Sequence, residues 1–265
     1  MTFKEWLFSM AEKPLIDNPV VNGRWGLLHI ITLLISIALI LTFYFIFKKI
    51  NNKEKFRKIV IFSLTSLILF FEIMMRFVRF VNYANELTLY RVVWILIPRP
   101  WCAIAGWALL LSPFVNKKFF YNFASLSSLL CAAIFFVCPG VGFNNKYILF
   151  ENLYSICTHA LLLIMSISCI TLKFTDFTYK NIWKEAICYV LTFAYALFII
   201  FVLKMERDPM YFMPNGDIQA GILGLPYGVY LPLYILFLLI YVNAFYLIQD
   251  RKNVKNFFKK INKKN

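Results

Sequence analysis

The side chains in this 265-residue chain best suited to covalent chemistry are two histidines and six cysteines. His159 lies deep in an apolar block. Cys102 follows the run Ile97-Pro98-Arg99-Pro100-Trp101, where two prolines free backbone carbonyls and Arg99 adds a positive charge. A thiol and a histidine base brought together in space form a nucleophile–base pair. The other candidates are charged residues at positions where charge is costly. Glu72, Arg76 and Arg79 are spaced i, i+4 and i+7, which places them on one face of a helix. Arg99, Glu151 and His29 sit near the ends of apolar blocks. Guanidinium groups of this kind suit a phosphate, and Glu72, Arg76, Arg79, Arg99 and His29 are the candidate substrate-binding residues. Each has a structural alternative: an internal Glu72–Arg76 ion pair that fixes helix packing, an Arg79 that snorkels to lipid head groups, and a His29 that only hydrogen-bonds. The remaining cysteines (Cys131, Cys138, Cys157, Cys169 and Cys188) form no CxxC pair and mostly fall inside apolar blocks. They do not read as a disulfide framework or zinc site, and Cys131, Cys138, Cys169 and Cys188 read as small apolar residues. Nothing in the histidine and glutamate spacing suggests a metal, and no phosphate loop, dinucleotide fingerprint or heme motif is present. No cofactor is expected.

The elements that must position these groups are membrane helices. The chain is 61% hydrophobic, with a mean hydropathy of +0.70. Its apolar residues come in blocks long enough to cross ~30 Å of hydrocarbon as helices. They lack the two-residue period of barrel strands, so an all-α polytopic bundle is expected. Seven spans fit, over roughly 25–47, 58–80, 93–114, 119–138, 149–171, 184–204 and 226–248. The third contains Pro98 and Pro100 and is the one expected to be broken or re-entrant. The first is long and is read as a retained helix, not a cleaved signal.

The net charge of +15 is explained by lipid and topology better than by nucleic acid. Cations concentrate in alternate loops: Lys48, Lys49, Lys53, Lys55 and Arg57, then Lys117 and Lys118, then Lys173 and Lys180, then the tail from Arg251. The excess of positive charge on the cytoplasmic side predicts N-terminus out and C-terminus in. It divides the chain into an extracytoplasmic segment 1–24, a bundle 25–248 and a basic cytoplasmic tail 249–265, in a multi-pass protein of the cell membrane. The tail's Val254, Phe257, Phe258 and Ile261 have the spacing of an amphipathic helix lying on the inner leaflet, with a solvated disordered tail as the alternative. This topology puts the costly polar residues in the outer half of the bundle.

The order of features resembles the YwaF-like family of bacterial integral membrane proteins, which is related to a eukaryotic acyltransferase family acting on ether phospholipids. The resemblance runs over about residues 25–248. It rests on His29, Glu72, the Pro-containing stretch 97–102, His159 and the segment Leu223-Gly224-Leu225-Pro226-Tyr227-Gly228-Val229-Tyr230. The bacterial motif resembles Leu-Pro-Leu-His-Leu-Cys. Pro98 and Cys102 keep their places, while Arg99 and Pro100 depart from it. The eukaryotic nucleophile falls where this chain has Arg99, so only the His159 counterpart carries over. What the resemblance implies is a lipid acyl-transfer enzyme with Cys102 as nucleophile, His159 as base, and a phospholipid as substrate. Two other functions remain open: a transporter component binding an anionic small molecule, and a non-catalytic lipid-binding protein. Membrane lipids are the expected partners in every case.

Overall fold

The computed structural model describes residues 26–50, 53–137, 143, 150–205, 209–214 and 223–251. The expected 1–24 segment, Cys138, the tail from Lys252 and the Glu151 side chain lie outside them. The helices are α1 (Leu27–Ile50), α2 (Glu54–Asn82), α3 (Leu89–Leu96), α4 (Trp101–Val115), α5 (Lys118–Val137), α6 (Phe150–Thr171), α7 (Ile182–Leu197) and α8 (Tyr227–Gln249). A π turn at Phe198–Val202 extends α7. Among the described residues six elements are long and apolar enough to cross a membrane, and the α3–α4 pair makes a seventh if counted as one span.

That pair is bent by 66°. The cause is local: Pro98 and Pro100 supply no N–H, and Ile97 and Pro100 take extended backbone angles. Carbonyls released at the bend find side-chain donors. Arg76 Nε donates to the Leu96 carbonyl at 3.3 Å, and the Tyr195 hydroxyl to that of Pro98 at 3.0 Å. A broken helix is tolerated at membrane depth only when neighbours satisfy its backbone in this way.

The burial order inverts that of a soluble protein. The central helix is α5, which packs on α4, α6 and α7. It buries Asn122, Ser125, Ser127 and Ser128 completely. Small polar side chains let helices approach closely in lipid, where apolar surface gains nothing by hiding from an apolar solvent. Two strongly apolar helices, α1 and α8, stay on the outside. Of α1 only His29, Ser36 and Phe47 are buried, and of α8 only Tyr230, Leu238 and Tyr246.

Helix α8 is tied on by tyrosine hydroxyls. Tyr227 donates to the Phe212 carbonyl at 3.0 Å, Tyr230 to that of Tyr211, Tyr234 to that of Met210 at 2.7 Å, and Tyr241 to that of Leu126 at 2.9 Å. Tyr246 donates to Glu185 Oε2 at 2.7 Å and accepts from Asn122 Nδ2 at 2.8 Å.

Candidate functional site

The candidate residues gather at one end of the bundle, where α1, α4, α6 and α8 begin and α2, α5 and α7 finish. Three groups can be distinguished there.

Glu72 organises the first. Although it lies within α2, it is nearly inaccessible, and it collects donors from three helices. Arg76, one turn on, contacts Oε2 through Nη1. The Trp107 indole N–H of α4 donates to the same oxygen at 2.9 Å, and the Tyr154 hydroxyl of α6 donates to Oε1 at 3.1 Å. The Arg76 guanidinium also lies 5.1 Å from the centre of the Trp107 ring. A buried carboxylate is tolerated here because an opposite charge and two neutral donors surround it.

Trp94 of α3 centres the second. Three guanidinium groups approach its ring: Arg99 at 3.6 Å from the centroid, Arg91 at 5.6 Å and Arg79 at 5.7 Å. Tyr83 meets the same indole edge-on at 5.6 Å and carries Arg91 at 4.3 Å over its own ring. Arg91 faces the Glu86 carboxylate at 3.7 Å. Arg79 Nε is buried without an acceptor among the described residues.

The third joins the two histidines through aromatic rings. His159 stacks on Phe135 at 3.9 Å and 7°. Phe135 packs on Phe143 at 5.3 Å, and Phe143 on His29 at 4.7 Å. His29 Nε2 is 2.8 Å from the Phe136 carbonyl, and His159 Nδ1 is 2.7 Å from that of Ser155. A carbonyl only accepts, so each of these nitrogens carries the proton. In neutral His159 that leaves Nε2 as the basic nitrogen.

Cys102, in the first turn of α4, packs against the cluster that holds Trp101, Ala105 and Cys131. Cys131 lies one turn of α5 from Phe135, the ring on which His159 stacks. Cys102 and His159 are thus at neighbouring levels of the same end, with no hydrogen bond joining them. Gly106, one turn below Cys102, lets α4 approach α6: a Cβ there would meet Leu162 Cδ2 at 3.4 Å.

The sequence reading singled out Glu72, Arg76, Arg79, Arg99, His29, His159 and Cys102, and all lie at this end. It missed their aromatic partners Trp94, Trp107, Tyr154 and Phe135, and it did not single out Arg91. The available signal was that Trp and Tyr within a span carry a donor that must find an acceptor. Among the described residues no three His, Cys, Asp or Glu side chains converge as metal ligands would.

No curated protein and no solved structure matches the chain. A family model does match, over residues 24–249, from the start of α1 to the end of α8 and so across all three groups: the chain belongs to the TMEM164 family, a family of membrane proteins.

Proposed function

We propose that this protein is a membrane-embedded enzyme that transfers an acyl group between phospholipids, with Cys102 as nucleophile and His159 as base. The observation that carries the reading is the state of His159. The ring is buried, held flat on Phe135 and tied through Nδ1–H to Ser155, which aims Nε2 as a base. The resemblance of His159 to the buried histidine of a lipid acyltransferase family supports it, as does an apolar surrounding suited to an acyl chain.

In the proposed sequence Nε2 takes the Cys102 thiol proton and the sulfur attacks the ester carbonyl of the donor lipid. The ester C–O bond breaks, and the departing lysolipid oxygen takes the proton from His159. The hydroxyl of an acceptor lysolipid then gives its proton to Nε2 and attacks the thioester. The C–S bond breaks, and the departing Cys102 thiolate takes that proton back from Nε2. The scheme requires that lipid binding bring the sulfur within about 3.5 Å of Nε2, a contact that catalytic groups often complete only with substrate bound.

The test is purified protein in nanodiscs with phospholipid labelled in one acyl chain, wild type beside Cys102→Ala and His159→Ala. Transfer lost in both variants is expected; transfer unaffected by either substitution removes the pair. Arg99 and Pro100, which stand where the resembling families carry the cysteine and the histidine, favour a second reading, a non-catalytic lipid-binding protein. That reading predicts no wild-type transfer but retained lipid binding.

A further inference from the structure

The short helix α3 presents its surroundings with two faces. Leu89 is 82% exposed, and Leu96 and Tyr90 are also open. An open leucine at the end of a membrane bundle belongs in lipid. Arg91 and Trp94, spaced i and i+3, share another side, which packs toward α2. A helix of this pattern lies in the interface, and tryptophan favours the level of the head groups.

Among the described residues the charges around Trp94 are not balanced. Arg76 is neutralised by Glu72. Among the described residues the carboxylate facing Arg91 is that of Glu86, at 3.7 Å and on a side chain 71% exposed, which is a weak, solvated pair. Arg79 has no carboxylate partner among the described residues, and its Nε has no acceptor there. Two guanidinium groups from different helices therefore flank one half-buried indole at head-group level, each with donors to spare. Guanidinium pairs of this kind match a phosphate oxygen by oxygen.

We infer that Arg79, Arg91 and Trp94 form a seat for the phosphate of a membrane phospholipid, with preference for head groups of net negative charge. The preference follows from the surplus: the described residues offer the seat no carboxylate beyond Glu86 to receive a choline or ethanolamine cation, and Arg99 already covers the Trp94 ring at 3.6 Å. The inference rests on the reading of this end as the lipid-binding end and names the lipid class it takes.

The experiment titrates purified protein with short-chain phosphatidylglycerol, short-chain phosphatidylcholine and inorganic phosphate in parallel. Wild type and the His159→Ala variant are both used, so that binding is read apart from turnover. Phosphatidylglycerol is expected to bind tightest. Arg79→Gln and Arg91→Gln should each weaken it about fivefold at low salt, the effect of one interfacial arginine. Arg79→Lys, which keeps the charge, controls for folding and should lose less. Lys117→Gln with Lys118→Gln, at the far end of the α4–α5 hairpin, should leave binding unchanged. Equal binding of both lipids, inorganic phosphate binding as tightly as phosphatidylglycerol, or Gln variants that bind as wild type would overturn the seat. Loss of the seat with acyl transfer intact refutes this inference alone, and loss of transfer with binding intact refutes only the Cys102–His159 reading.

Discussion

Removing the Glu72 carboxylate should unsettle three helices at once. The Glu72→Ala variant strands the Arg76 guanidinium, the Trp107 indole N–H at 2.9 Å and the Tyr154 hydroxyl at 3.1 Å. The ion pair is well shielded, with side-chain exposures of 17% for Arg76 and 9% for Glu72. Solvent therefore does little to compensate the charge left behind. Breaking a buried pair from one side costs about 3–5 kcal/mol. Glu72→Gln keeps one oxygen acceptor and loses the charge-assisted bond, worth about 1.5–3 kcal/mol. In the double variant Glu72→Leu with Arg76→Leu no buried charge is stranded, so it should recover more than half of the Glu72→Ala loss. Thermal unfolding in nanodiscs of one lipid composition reads the order: wild type, the double variant and Glu72→Gln above Glu72→Ala. If Glu72→Ala melts with wild type, or the double variant melts no higher than Glu72→Ala, the carboxylate is not what joins α2, α4 and α6.

Substitutions at three further positions test the packing. Tyr246→Phe removes the donor to Glu185 and the acceptor of Asn122, so α8 should loosen by up to about 1.7 kcal/mol, the upper range for hydrogen bonds between membrane helices; faster hydrogen exchange across α8 checks it. Gly106→Ala should be neutral or stabilising by up to about 1 kcal/mol, since its Cβ meets Leu162 at ordinary contact distance and alanine favours the helix. Gly106→Leu should force α4 from α6 and lower the melting temperature clearly. Phe135→Ala leaves a cavity against His159 and should cost about 3–5 kcal/mol; a melting temperature equal to wild type would show that the stacked ring is not a packing element.

The spans were legible in residue order alone. Hydropathy is a local property, and the length of an apolar block is set by membrane thickness, so the seven expected blocks coincide with the observed helices to within a few residues. The break at Pro98 and Pro100 was legible for the same reason: proline removes a donor wherever it stands. The i, i+4, i+7 spacing placed Glu72, Arg76 and Arg79 on one face, and the order of the blocks placed the polar residues at one end. Which side chains meet was not legible there. Helix rotation and crossing, which no residue encodes alone, bring Trp107 and Tyr154 to Glu72, fold Trp94 among three arginines and stack His159 on Phe135. The same holds for burial. In lipid the apolar helices α1 and α8 gain nothing by moving inward, while α5, with its serines and Asn122, does so because small and hydrogen-bonding side chains allow close approach. Hydropathy identifies a span, but contacts between helices decide whether it becomes the centre or the rim.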